Sequence, residues 1–436
     1  MLEEYTQNIH TYNQLGNLNQ EKIPERLTHA KGTGAHGYFK VTQDLTYFTQ
    51  ANFLSSIGKL TPVFVRFSNY RGEKGSPDSL RDPRGMAIKF YTEEGNFDLT
   101  ANSIPVFFIR DPQKFPDFVH SQKRNSKTNL FDKNQTWKFY LQNPETFHAL
   151  LFTYSERGIP ANYRQMHAYA CHAYRFYRGD NSVFVKFHIK TKQGIKNLSI
   201  EDAEELAGKE PDFYTKDLYE AIEEKDFPRW TVYIQILKEE EIPKLNFDPF
   251  DPTKVWPTKN FPLLELGILE LNRNPINYFS EVEQAAFSPA SLVLGIGVSP
   301  DPLLLARLFS YSDAQRYRLG VNYNQLPINR QVCPFHSKHR DGFMQMEINS
   351  DRESNSINNL FSNSKEKLYQ FKTSYKFPID DISQPKSFLK ILSQNSKTYL
   401  QNELQKEIQT LSCEVQKEAF EKLCFVFEKE ENLVLG

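Results

Sequence analysis

A chain of 436 residues with a formal net charge of −1 has no general electrostatic pull toward nucleic acid or an anionic membrane. No stretch approaches the ~18 consecutive apolar residues of a membrane span, and the polar, acidic start "MLEEYTQNIHTYNQ" lacks a basic-then-apolar leader. Four cysteines, Cys171, Cys333, Cys413 and Cys424, form no CxxC pair, so reduced thiols in a cytoplasmic compartment are expected.

Residues 1–24 are polar, show little periodicity and read as an arm. The next stretch, "ERLTHAKGTGAHGYF" (25–39), sets His29 where there is no metal-ligand spacing, no nucleophile and no long apolar face. From Tyr38 to about Leu271 come short β-branched and aromatic runs, among them "TPVFVRFS", "GMAIKFYT", "IPVFFIRD", "VFVKFHIK", "WTVYIQIL" and "LLELGILELN". Several alternate apolar with polar between turn residues, which predicts an antiparallel sheet or barrel. Helical inserts interrupt it at "NPETFHALLFTYSERG" and "IEDAEELAG". Residues 272–385 are rich in Asn, Pro and Ser, with one helix near 301–317 and an exposed loop expected at 351–365. An irregular segment of this length wraps another surface or lines a site. In the tail, Leu400, Leu404, Ile408, Leu411, Val415 and Leu423 recur at helical steps. The reading is an α+β chain divided at 1–24, 25–271, 272–385 and 386–436.

Within 301–320, "DPLLLARLFSYSDAQRYRLG", Arg307 and Tyr311 lie four apart and share a helix face. A guanidinium one turn from a phenol favours tyrosinate, a hard anionic metal ligand. Arg26, Arg66 and Arg318 could each present a fork to a carboxylate, although singly each reads as an ordinary ion-pair residue. Asn102 stands just before an apolar run containing Phe107 and Phe108; alone it reads as a turn former. The 35 Phe and 22 Tyr suit core packing and also a flat aromatic ligand.

Taken together, the segments "IPERLTHAKGTGAHGYF", "RFSNYRGEKGSPDSLRDPRGMAIKFYTEEGNFDL", "PVFFIRDPQKFPDFVHSQKRN", "KFHIKTKQGIKNLSIEDAEELA", "FDPFDPTKVWP", "LNRNPINYFSEVEQAAF" and "RLFSYSDAQRYRLG" resemble, in order, the signatures of the haem catalases. The match runs from about Ile23 to Met346 and is of the small-subunit type. The resemblance implies an N-terminal arm, an antiparallel eight-stranded β-barrel, a wrapping segment and a C-terminal helical domain, assembled as a homotetramer. It implies haem b, hydrogen peroxide as substrate, and its disproportionation to oxygen and water through an oxyferryl species, as protection against oxidative stress.

By the same resemblance His29 matches the distal histidine, Asn102 the distal asparagine, and Ser68 the hydroxyl that bonds the histidine ring. Tyr311 matches the iron ligand and Arg307 its neighbour, with His172 and Asp301 extending the charge chain behind them. Arg26, Arg66 and Arg318 match propionate ligands, Phe107 and Phe115 aromatics near the haem, and Asp82 an acid in the peroxide channel. His148, Ser155, Arg157, Lys190 and Trp256 match an NADPH site, from which His167 and Thr258 depart. Thr28 replaces the usual valine before the distal histidine; its hydroxyl could bond the ring or only backbone. Tyr70 stands where the family has a small branched residue in the channel, and "ANS" replaces Gly-Asn-Asn around Asn102. Thr28 and Tyr70 raise a second reading, a peroxidase or organic-hydroperoxide enzyme with weak catalase activity. A third is a non-enzymatic haem protein, against which the complete set of His29, Asn102, Tyr311 and Arg307 speaks.

Overall fold

Alternation decides which way each strand faces. In β2 (Leu60–Asn69) Val63, Val65 and Phe67 enter the main core, so Phe64, Arg66 and Ser68 point the other way. The computed structural model describes residues 8–332, 342–343, 345 and 375–427. Around β2 stand β1 (Gly32–Val41), β3 (Arg84–Thr92), β4 (Gly95–Asn102), β5 (Ala168–Tyr169), β7 (Asn181–Thr191), β8 (Arg229–Lys238) and β9 (Leu264–Arg273). Their order is β7-β5-β4-β3-β2-β1-β9-β8, and β8 pairs back onto β7. Every pairing is antiparallel, so the sheet closes into the eight-stranded barrel that the resemblance implies. A short strand β6 (Tyr174–Arg178) adds to β7 outside this ring and carries β10 (Ile296–Val298).

The barrel interior is filled by side chains such as Phe39, Phe67, Met86, Leu99 and Trp230. That leaves the outer face of β2–β4 to make a site. The chain after β9 crosses this face, and Phe64 packs there with Val282, Ala285, Phe287 and Ile328. Helix α7 (Pro302–Leu319) follows. It opens on Asp301, which accepts from Leu303 N and Leu304 N, has proline at its first position, and stops at Gly320 with φ 99°.

A second core joins Phe108, Phe118, Trp137 and Phe152 to Leu400, Leu404, Ile408, Val415 and Leu423. The last of these come from α9 (Gln394–Gln409) and α10 (Cys413–Phe427), so the helical steps in the tail mark the buried face. Arg81 locks this unit to the barrel loop: it reaches Glu403 at 2.5 Å and the carbonyls of Thr153 and Ser155.

Two expectations change. The arm contains a helix, α1 (Ile9–Asn19), capped by the Asn8 side chain and with no buried residue, which explains why its sequence shows no core-facing period. The run "IPVFFIRD" is not a strand: β4 ends at Asn102, and residues 104–109 form an irregular, bending stretch that packs into the second core, with Phe107 N donating to Pro252 O. A short apolar run is the case in which periodicity cannot tell strand from buried coil. The loop expected at 351–365 and Cys333 lie outside the described residues.

Candidate functional site

Strand register assembles the first group. Ser68 pairs with Gly85, and Gly85 with Asn102, so the three stand abreast on the outer face of the barrel, with Thr100 two residues along. His29 reaches them from the loop before β1. Its backbone adopts φ 62°, an uncommon conformation for a residue with a side chain. Two bonds hold it there: its N–H donates to Tyr70 O (3.0 Å), and its carbonyl accepts from Arg66 Nη1 (2.9 Å). The ring then sits with Nδ1 2.9 Å from Ser68 Oγ. Gly85 makes the room. A Cβ at that position would lie 2.7 Å from both His29 Nδ1 and Ser68 Oγ.

Burial, followed by the fields of Arg66, Arg307 and Arg26, pushes His29 from 6.5 down to about 3. The imidazole is therefore neutral at working pH. With Nδ1 engaged by the serine, Nε2 is left to act as a base. A consequence is testable: activity has no acid limb near the ordinary histidine value, and its rate stays level down to about pH 4 while the fold survives. The fold loses stability over the same range. His29, His148 and His188, all depressed, favour the folded chain above the ordinary histidine value, and this contribution falls away as pH drops toward their folded values. Rate and near-ultraviolet circular dichroism should then fall together; a rate that titrates near pH 6.5 in a folded protein contradicts the assignment.

A second group is cationic. Arg26 donates to the carbonyls of Val282, Glu283 and Ala285, and Arg318 to those of Glu283 and Ala285, pinning the crossing segment from two sides. Arg66 holds the carbonyls of His29 and Ala30. One buried carboxylate, Glu283, serves both Arg26 (3.5 Å) and Arg318 (3.7 Å). Burial depresses all three guanidiniums; Arg26 is further lowered by its neighbours Arg66 and Arg318, and Arg318 falls to about 10. Arg26 Nη1, apart from its ion pair with Glu283, and Arg66 Nε are buried donors that make no hydrogen bond. Three cations against one carboxylate, with donors unspent, fit a ligand carrying two carboxylates.

The third group comes from α7. Arg307 donates to Tyr311 Oη and, at 3.1 Å, to Thr100 Oγ1 on the barrel face. Burial opposes the Arg307 charge, but Tyr311, Cys171 and the hydrogen bond to Tyr311 outweigh it, so its pKa rises. Behind it His172 Nδ1 lies 2.5 Å from Asp301 Oδ2, and Asp301 Oδ1 caps the helix. Burial works against the His172 charge, yet Cys171 and Asp301 carry it up to about 9. Among the described residues no group of three or more His, Cys, Asp or Glu could hold a bare ion. A lone phenol oxygen instead suits a metal already held in a macrocycle, and with the dianion-binding arginines and the aromatics Phe107, Phe115 and Tyr70 the residues fit a haem.

The family model described as Catalase matches residues 3–363. The chain belongs to the catalase family. It is 54% identical over 357 residues to a catalase of Methanosarcina barkeri, covering 81% of this chain and 71% of that one. It is 52% identical over 337 residues to catalase A of Pseudomonas putida, with 77% and 70% covered. A solved bacterial catalase superposes with TM-score 0.90 at 36% identity, over 97% of this chain and 88% of its own. Catalase A of Saccharomyces cerevisiae gives 0.85 at 41% identity, over 97% and 92%.

His29, Ser68 and Asn102 meet on the barrel face, and Arg307, which pairs with Tyr311, reaches Thr100 on that face and lies close enough to act on the His29 charge. Thr28 is half-buried, and the described residues hold no bond between its hydroxyl and His29; the ring partner is Ser68. The Asp82 carboxylate is held by Arg71, through its N at 2.8 Å and its Nε at 3.0 Å. Burial depresses His167, and of the five residues matched to NADPH, Lys190 and Arg157 lie close enough to depress it further together. Arg157 lines a small cleft with Ser103, Pro160, Met166, His167 and Tyr169. His148 is buried against Phe152 and Phe388 with Nδ1 at Thr253 O, Ser155 Oγ donates to Phe152 O, and Trp256 Nε1 donates to Pro249 O. Lys190 is half-buried.

Four functional residues escape the sequence reading. Gly85 and Thr100 carry no visible chemistry until register sets them beside His29 and Arg307. Glu283 and Arg71 look like surface charges. The signal for Gly85 was its place in "RDPRG", opening a strand at a residue that needs no side chain.

Proposed function

We propose that this chain disproportionates hydrogen peroxide to water and dioxygen with a b-type haem that Tyr311 and the arginines would hold and that His29 would serve. Membership of the catalase family implies a haem group and peroxide as substrate. The b type is supported by the absence from the sequence of a Cys-x-x-Cys-His motif for covalent attachment. When bound, haem supplies the two-electron redox chemistry. The residues of the chain supply the proton traffic. His29 Nε2 accepts a proton from one peroxide oxygen and returns it to the other, so that oxygen departs as water. The Asn102 amide donates to peroxide without competing for the proton. Ser68 fixes the imidazole plane through the round trip. When the second peroxide leaves as dioxygen, its two electrons would go to the oxidising equivalents that bound haem supplies, and His29 would again take up and pass on a proton, the two hydrogens ending in the second water. Arg26, Arg66 and Arg318 would hold the two propionates, and Tyr311, beside Arg307, the iron.

The observation that carries this reading is a neutral, serine-held His29 and an arginine-paired tyrosine whose arginine also binds Thr100 on the same barrel face. Its test is the spectrum and gas evolution of the haem-loaded protein. A ferric tyrosinate spectrum with fast O₂ release on adding peroxide is expected; haem-loaded protein that releases none overturns it.

NADPH is a second ligand of this reading, supported by Arg157 and Lys190, to which no carboxylate is paired among the described residues. A homotetramer is supported by α1, whose Ile9, Tyr12, Leu15 and Leu18 are exposed on one chain and need cover. A cytoplasmic setting is supported by the unpaired thiols of Cys171, Cys413 and Cys424.

A further inference from the structure

One strand row carries more of the site than its sequence suggests. In β4 Phe97, Leu99 and Ala101 enter the main core, so Asp98, Thr100 and Asn102 line up on the outer face. The row is fixed along its length, since β4 pairs with β3 from Gly95 to Asn102. Its near end is bolted down. The two oxygens of Asp98 accept from Lys89 Nζ at 2.7 and 2.9 Å, and one of them also accepts from Ser288 N of the crossing segment at 2.9 Å. Its far end is Asn102. Half-buried between them stands Thr100, whose Oγ1 accepts from Arg307 Nη2 at 3.1 Å. That same nitrogen donates to Tyr311 Oη.

A terminal guanidinium nitrogen carries two hydrogens in a fixed, planar geometry. Whatever takes the first therefore aims the second. The aim matters because Arg307 has another place to rest. It shares a helix face with Tyr311, and its central carbon lies 5.0 Å from the centroid of the phenol ring, whose face itself attracts a cation. A guanidinium settled flat on that face would leave the oxygen. Threonine is suited to prevent this, because β-branching makes its side chain stiff.

We propose that Thr100 is the positioning residue of the Arg307–Tyr311 pair. Its hydroxyl takes one hydrogen of Arg307 Nη2 and so turns the other onto the phenol oxygen. Thr100 and Asn102 are two residues apart on one strand face, about 7 Å along the backbone. A single strand thus holds the guanidinium and the Asn102 amide in one rigid frame. This deepens the catalase reading and rests on it.

The readout is the rate at which the loaded protein loses haem to excess apomyoglobin, together with its ferric absorption spectrum. Thr100→Val keeps the shape and removes the hydroxyl; haem should leave about tenfold faster, with the spectrum shifted. Thr100→Ala removes the same hydroxyl with less bulk, and guards against valine disturbing the strand. Thr100→Ser keeps the oxygen and should stay close to the parent in both readouts. In an Arg307→Gln background Thr100→Val should add nothing, because the hydroxyl then has no guanidinium to aim. Parental haem loss in both hydroxyl-free variants overturns the inference, and so does an undiminished effect of Thr100→Val without Arg307. Oxygen release by the parent is read separately: its absence sinks the catalase reading, whereas its presence with unchanged haem loss sinks this inference alone.

Discussion

Replacing His29 by alanine should lower oxygen release by about 10²–10⁴-fold, the usual worth of a positioned acid–base group, and leave bound haem nearly unchanged. The two halves of that expectation have separate causes. The ring is held neutral at the β2–β4 face, and without it the proton on one peroxide oxygen loses its carrier to the other. On the proposed assignment haem would be held by Tyr311 and the arginines, which the substitution leaves in place. Gly85→Ala should act through the same ring without touching it. Its new methyl would lie 2.7 Å from His29 Nδ1 and Ser68 Oγ, and the neighbouring strands give it nowhere else to go. The imidazole must turn out of line, so Gly85→Ala should lose a large part of the same activity with its spectrum near normal. If Gly85→Ala releases oxygen at the parental rate, ring placement by Ser68 is not what sets the rate.

That glycine also shows where sequence reading stops. "VFVRFS" and "FDLTAN" announce by alternation that Arg66 shares a face with Ser68, and Thr100 with Asn102, opposite the apolar residues. Which residue of one strand stands beside which of the next is a matter of register, and one sequence does not contain it; Ser68, Gly85 and Asn102 become neighbours only when the strands pair. The arginines are a similar case. Arg26 finds its acceptors more than 250 residues away, and Glu283, which both Arg26 and Arg318 share, belongs to a stretch whose irregularity hides its role. The helix carrying Arg307 and Tyr311 was legible because its spacing is local: four residues make one turn, and no long-range partner is needed to see the pair. Long motifs supplied the family, and with it the roles; the geometry supplied the reasons for the residue types.

On the other side of the pocket, Tyr311→Phe should leave a folded protein that holds little haem. The substitution removes one oxygen atom and keeps the ring, so the packing of α7 is undisturbed, and the readout is haem per chain after desalting rather than turnover. Arg307→Gln asks a different question. The guanidinium is raised by Tyr311, to whose Oη it donates, so the contact is a charge-assisted hydrogen bond. A charge-assisted hydrogen bond of this kind is worth about 1.5–3 kcal/mol, so haem affinity should fall about 10–100-fold in Arg307→Gln, less than in Tyr311→Phe. The order of the two variants matters more than either value. A Tyr311→Phe chain that keeps full haem would mean that the arginines and aromatic walls hold the group unaided, and the tyrosine would lose its assignment. Equal loss in both variants would mean that the phenol binds only as a partner of Arg307, making the pair, and not the oxygen alone, the ligand.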